Sequence, residues 1–132
     1  MEAPLIYVDT TIFTESAIYA TLEGSNCRKF IFSYPCLATS PLTFTDALTT
    51  ITRISGKQQA MWLCDRLAKM PSLSILQSNE LVIFKTLENY QTTQLSPKKS
   101  MHLAYIQLNN ITQIASLDPE FDKIKGVKRV KI

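Results

Sequence analysis

The chain has 132 residues, a formal net charge of +3, 45% hydrophobic and 19% charged residues. That length predicts a single domain spanning residues 1–132, and the apolar fraction is that of a globular chain rather than a disordered one. No apolar run reaches the roughly 18–20 residues of a membrane span. The opening Met1-Glu2-Ala3-Pro4 has no basic stretch ahead of an apolar core, so no secretory leader is expected. Cys27, Cys36 and Cys64 are odd in number and lack CxxC spacing, which argues against a disulfide scaffold or a zinc site and for a reducing cytoplasm. Only three glycines occur, too few for a Gly-rich phosphate loop, so Walker-type nucleotide hydrolases and dinucleotide binders are excluded.

In chain order, Leu5-Ile6-Tyr7-Val8 reads as a strand buried on both faces and ends at Asp9. Thr10-Thr11 opens a helical stretch through Ile12, Phe13, Ile18 and Leu22, expected to end near Gly24, and residues 27–37 hold a second helix stopped by Pro35. A short strand over 36–39 leads into Ser40-Pro41, where an N-cap serine followed by proline starts a helix. Phe44, Ala47, Leu48 and Ile51 form its stripe, and Gly56 ends it. Ala60, Leu63, Cys64, Leu67 and Ala68 repeat the spacing in a helix closed by Pro71, with Trp62 assigned to core or interface. Leu73–Leu76 is a short strand, and Ser78 is expected to cap a helix with Ile83, Leu87 and Tyr90 as its apolar stripe. Ser96-Pro97 starts a further helix with the stripe Met101, Ala104, Tyr105 and Leu108. Residues 113–117 form a strand ending at Asp118-Pro119, and a last strand covers 127–132.

Strands separated by helices imply an α/β fold, a mainly parallel central sheet with helices on both faces. In such a sheet, ligands bind at the carboxyl ends of the strands. Asp9 and Asp118 fall directly after strands, and Asp46 lies in the first two turns of the helix that follows the second strand. Carboxylates gathered from separate strand ends suit hard cations such as Mg²⁺ or Mn²⁺, which activate water and stabilise charge on a phosphoryl group. Each acid also has a structural explanation. Asp9 and Asp118 suit helix N-caps, and Asp46 sits opposite an apolar stripe and could face water. His102, the one histidine, reads as a packed helix residue, and without a partner at ligand spacing it argues against zinc. Half of the 14 basic residues lie from Pro97 onward, which suits a phosphate-bearing partner or a solvated edge strand guarded by lysines.

Four segments resemble the PIN-domain family, which includes the toxin ribonucleases of toxin–antitoxin pairs. Residues 5–13 (LIYVDTTIF) resemble its opening strand and Asp-Thr-Asn; residues 39–46 (TSPLTFTD) resemble its Ser-Pro-led helix with an acid, usually Glu. Residues 95–104 (LSPKKSMHLA) resemble a helix that usually reads Asp-Ala-Leu-His-Leu-Ala, and residues 114–124 (IASLDPEFDKI) the closing Ser-x-Asp-x-x-Phe-Asp segment. The resemblance implies a three-layer α/β/α sandwich and a Mg²⁺- or Mn²⁺-dependent endoribonuclease with Asp9, Asp46 and Asp118 as catalytic metal ligands. It further implies an RNA substrate and an antitoxin partner, with Lys99, Lys98, Thr10, Thr11 and Ser100 contacting RNA or modulating the site. At the third acidic position the chain has Lys99, or Ser100 with a one-residue slip; Asp46 stands for Glu and Thr11 for Asn.

Replacing a carboxylate with Lys99 changes the local charge from −4 to −2, and one charge pair at 4 Å is worth about 4 kcal/mol at an effective dielectric of about 20. A cation near a helix N-terminus is disfavoured, so Lys99 is expected to pair with Asp9 or Asp118. It either occupies the space of a metal, leaving a non-cleaving RNA- or protein-binding module, or swings aside for a metal and a phosphate. A receiver-like signalling domain fits less well, since only Asp9 follows the first strand and no Asp ends the 73–76 strand. The apolar stripes of the 57–70 and 78–92 helices exceed what a small sheet must cover, which suits a homodimer.

Overall fold

Ile6, Tyr7 and Val8 can serve as a central strand because both of its faces are covered: each is buried, and the strand, β1 (Ile6–Val8), pairs with neighbours on both edges. The computed structural model describes residues 3–132. Along the chain follow α1 (Thr10–Ile18), α2 (Leu22–Ser33), β2 (Leu37–Thr39), α3 (Pro41–Ser55), α4 (Lys57–Ala68) and β3 (Leu73–Ile75). Then come α5 (Glu80–Thr92), α6 (Pro97–Leu108), β4 (Gln113–Ala115), a 3-10 turn (Pro119–Lys123) and β5 (Lys128–Val130). The strand order is β3-β2-β1-β4-β5, and every pairing is parallel. Among the described residues no helix is long and apolar enough to cross a membrane.

Strand alternation divides the core in two. Ile6, Val8, Leu37 and Ala115 pack with Ile12, Phe13, Ile31, Ile51 and Leu67 of the α1–α4 layer. Tyr7, Ala38 and Ile114 face Val82, Leu103, Ile106 and Phe121 on the α5–α6 side. The result is the expected α/β/α sandwich.

Three local expectations are corrected. The first helix stops at Ile18, where Tyr19 turns extended, and Thr21 starts α2 by accepting a hydrogen bond from the Gly24 amide at 3.0 Å. Gly24 therefore lies inside a first turn, where a Cβ would collide with the Tyr19 carbonyl oxygen. Ser40 precedes α3 but makes no side-chain cap, because its hydroxyl is engaged with Tyr7. Asn79 caps α5, accepting from the Leu81 amide at 3.0 Å, while the Ser78 hydroxyl bonds the Tyr105 hydroxyl. On α5, Val82 and Asn89 are buried while Ile83, Leu87 and Tyr90 turn to solvent, and Trp62 is 55% exposed on α4, so the single chain leaves uncovered the apolar excess expected of these two helices. A helical period marks a stripe but not which neighbour, if any, will cover it.

Candidate functional site

In this strand order the chain leaves β1 toward β2 on one side, and β4 fills the other edge later. The switch of direction therefore falls between β1 and β4, where an open parallel sheet forms a crevice at its carboxyl ends. Asp9 and the Ser116–Asp118 segment flank that crevice, and the Asp9 amide donates to the Ala115 carbonyl at 3.1 Å.

Asp9 is 3% exposed. One carboxylate oxygen accepts from the Thr11 amide at 3.0 Å and the Thr11 hydroxyl at 2.5 Å; the other accepts from the Ser116 hydroxyl at 2.5 Å. Burial pushes its pKa up to about 6, and the Ser116 and Thr11 hydrogen bonds only partly offset that. Thr11 also accepts from the Leu117 amide at 2.9 Å, so it ties the start of α1 to the segment after β4. Ser116 passes the connection on by accepting from the Asp118 amide at 3.0 Å.

Asp118 caps the 3-10 turn through the Glu120 amide at 2.9 Å and pairs with the Lys99 ammonium, which also reaches Glu120 at 3.2 Å. Although partial burial raises the Asp118 pKa, the Lys99 hydrogen bond and the Glu120 amide outweigh it and hold the carboxyl below its ordinary range. The same pair raises the Lys99 pKa. Of the two carboxylates considered for Lys99, Asp118 is therefore the partner. On the next residue back, Lys98 bonds Asp46 at 2.8 Å, joining α6 to α3.

Ser100 does not reach the acids; it is fully buried and its hydroxyl points to the Leu95 carbonyl at 3.4 Å. The Thr10 hydroxyl is buried without a hydrogen-bond partner among the described residues, beside Asp9 in sequence. His102 is a packed residue, as expected. Its Nδ1 shares a 2.7 Å hydrogen bond with the Tyr7 hydroxyl, which also meets the Ser40 hydroxyl at 2.7 Å. Burial lowers the His102 pKa to about 4. Glu120 belongs to the site without having been singled out in the sequence, and Ser116, the serine of the closing Ser-x-Asp segment, was given no role there. The Ser116–Asp9 bond spans 107 positions, so no local pattern encodes it. Glu120 lay within the resemblance, two residues after Asp118.

The donor set can now be tested against Mg²⁺ or Mn²⁺. Among the described residues, no three His, Cys, Asp or Glu side chains gather in an arrangement that could hold a metal ion. Asp46 and Asp118 each carry a lysine instead, and Asp9 turns both oxygens to hydroxyls and an amide. The residues as arranged do not fit the divalent ion that the resemblance implies.

No family model matches this sequence, and no curated protein matches it. Solved structures do. The VapC20 toxin of Mycobacterium tuberculosis, described as cleaving the sarcin–ricin loop, superposes with a TM-score of 0.74 at 15% identity, over 89% of this chain and 92% of that one. A chain of a toxin–antitoxin complex from Klebsiella pneumoniae gives 0.71 at 15% identity over 96% of both chains. A chain of VapBC2 from Rickettsia felis, bound to a DNA fragment from the promoter, gives 0.71 at 11% identity, over 96% of this chain and 97% of that one. At these identities the likeness speaks of architecture, and with the all-parallel sheet and its flanking helices it shows that this chain has the PIN-like fold of the VapC toxins.

Proposed function

We propose that this chain is a toxin-type PIN-fold protein that engages RNA at the β1–β4 crevice, with lysine–carboxylate pairs standing where the resemblance calls for a metal centre. The observation that carries the reading is the pairing of two consecutive lysines with two of the three candidate acids, Lys98 with Asp46 and Lys99 with Asp118. Each pair cancels a charge that would attract a divalent cation. Lys98, more than half exposed, is placed to exchange its carboxylate for an RNA phosphate. The basic residues of the C-terminal third extend the positive surface beyond the crevice. A protein partner of antitoxin type is part of the proposal, supported by the toxin–antitoxin complexes among the solved structures. A second copy is proposed to cover α5, where Leu81, Phe84 and Leu87 are each more than half exposed on one helix.

A second reading, cleavage of RNA with Mg²⁺ or Mn²⁺, is favoured by one observation. Asp9 is a buried carboxylate at the switch point with no cationic side chain bound to it among the described residues. That reading requires Lys98 and Lys99 to leave Asp46 and Asp118.

Mn²⁺ titration calorimetry, RNA retention and cleavage of a structured RNA, each with an EDTA control, separate the two. The expected result is no Mn²⁺ uptake, no cleavage, and RNA retained equally in EDTA. Metal-dependent cleavage that disappears in Asp9→Asn would overturn the proposal and install the nuclease.

A further inference from the structure

We infer that the cavity between the α5–α6 turn, α6 and the 3-10 turn binds one nucleotide unit, its phosphate at Lys123 and Lys125 and its base against Ile124. The cavity measures about 540 Å³, within the roughly 300–1,000 Å³ typical of small-molecule sites. It lies next to the crevice but is separate from it, and Glu120 belongs to both: it lines the cavity and meets Lys99 at 3.2 Å.

Charge accounting selects an anion. Three lysines and two glutamates line the cavity. Lys85 is engaged by Glu88 at 3.4 Å and Glu120 by Lys99, whereas Lys123 and Lys125 form no ion pair among the described residues. Two exposed, uncompensated ammonium groups on one short turn suit a phosphate. The rest of the lining suits a base. Ile124 is half-buried and presents apolar surface to a flat ring, with the fully buried Leu103 behind it. Gln94 and Gln107 carry amides that both donate and accept, as base edges require. Asn89, 3% exposed, spends its amide nitrogen on the Ser100 carbonyl and leaves its Oδ1 without a bonded donor among the described residues. A bare anion would use the lysines and waste the amides and the apolar surface.

A free mononucleotide and a nucleotide within RNA present the same chemistry. The second source rests on the RNA reading above; the first does not. The test is calorimetry with AMP, CMP, GMP and UMP, the matched nucleosides and inorganic phosphate, followed by competition with a short single-stranded RNA. At least one mononucleotide is expected to bind ten times or more tighter than its nucleoside and than phosphate. Lys123→Ala/Lys125→Ala should weaken it at least tenfold, Gln107→Leu should weaken it and narrow the preference among bases, and Lys57→Ala on the opposite layer should change nothing. Competition by RNA assigns the site to the polymer, and its absence to the free nucleotide; both uphold the site. Nucleotides binding no better than phosphate, or a folded Lys123→Ala/Lys125→Ala protein with unchanged affinity, would overturn it. Loss of RNA retention with mononucleotide binding intact would sink the RNA reading and leave the cavity assignment standing.

Discussion

The Tyr7 hydroxyl and His102 Nδ1 meet at 2.7 Å across the boundary between the central strand and α6, with Ser40 at the same distance on the hydroxyl's other side. All three residues are buried. Burial, more than its neighbours, raises the Tyr7 pKa, so the hydroxyl is neutral at any ordinary pH. Tyr7→Phe strips the shared partner from two buried polar groups and is expected to cost about 2–4 kcal/mol. Urea denaturation measures this directly. A loss below about 0.5 kcal/mol would mean that packing, not hydrogen bonding, fixes α6 against the sheet.

Two buried groups give acid dependences of opposite sign. His102 has a folded pKa of about 4, below its unfolded value of 6.5, so the unfolded chain takes up the proton first. Its contribution is full above pH 6.5 and falls by about 3 kcal/mol as the pH drops toward 4. Asp9 has a folded pKa of about 6 against 3.8, so the folded chain takes up its proton first and gains stability over nearly the same interval. The parent protein should therefore show a shallow profile between pH 6 and 4. In Asp9→Asn stability should fall steeply with acid, and in His102→Gln it should rise. Denaturation curves at three pH values decide it; parallel profiles for all three proteins would refute the assignment.

Asp9→Asn is also expected to be more stable than the parent at pH 7, by about 1–2 kcal/mol, because it removes a charge that burial disfavours. The amide oxygen can still cap α1 through Thr11. A thermal melt suffices, and a destabilised variant would show that the bonds from Ser116 and Thr11 need a full negative charge.

Lys99→Met should let the Asp118 pKa rise back to or above its ordinary value, read from carbon-detected NMR titration of the carboxyl. Lys99→Asp should go further and create Mn²⁺ binding, seen by calorimetry, where the parent has none. An unmoved Asp118 in Lys99→Met would count against the ion pair.

On α5, Phe84→Lys and Leu87→Lys should leave the stability of the monomer, measured at dilutions where the dimer has dissociated, within about 0.5 kcal/mol, since both side chains are 61% exposed in the single chain. Sedimentation velocity should show the parent as a dimer and the double variant as a monomer. A monomeric parent would remove the second copy from this face.

Much of the architecture was legible because it is written locally. The apolar run ending at Asp9 marks a doubly covered strand, and Ser-Pro at residues 40–41 and 96–97 marks helix starts. The break at Tyr19 was not legible, because Gly24 reads as a stop when in truth it is the residue small enough for α2 to begin close to the preceding carbonyl. The stripe on α5 was legible as more apolar surface than the sheet covers, but that α5 would pack on α6 was not, since nothing in its own period says so. At the site, the two strand-end aspartates followed from placement; Lys99 was singled out by the resemblance, and charge then called for a pair with Asp9 or Asp118, of which the structure has Asp118. Lys98–Asp46 and Ser116–Asp9 did not follow from either, because they depend on how α3 meets α6 and how β1 meets β4, 52 and 107 positions apart.

The placement of β1 between β2 and β4 has a consequence for synthesis. Its edge toward β4 has no partner until residues 113–115 have left the ribosome, by which time β1, β2 and β3 can already be paired. A nascent chain of about 110 residues would therefore display an open central strand, the kind of edge that recruits another chain. Asp9 also receives the Ser116 hydroxyl only at that late moment, so the crevice takes shape after β1, β2 and β3 have come together. A chain cut before β4 would be sticky as well as siteless, and any partner that reads this crevice reads only chains that already carry β4.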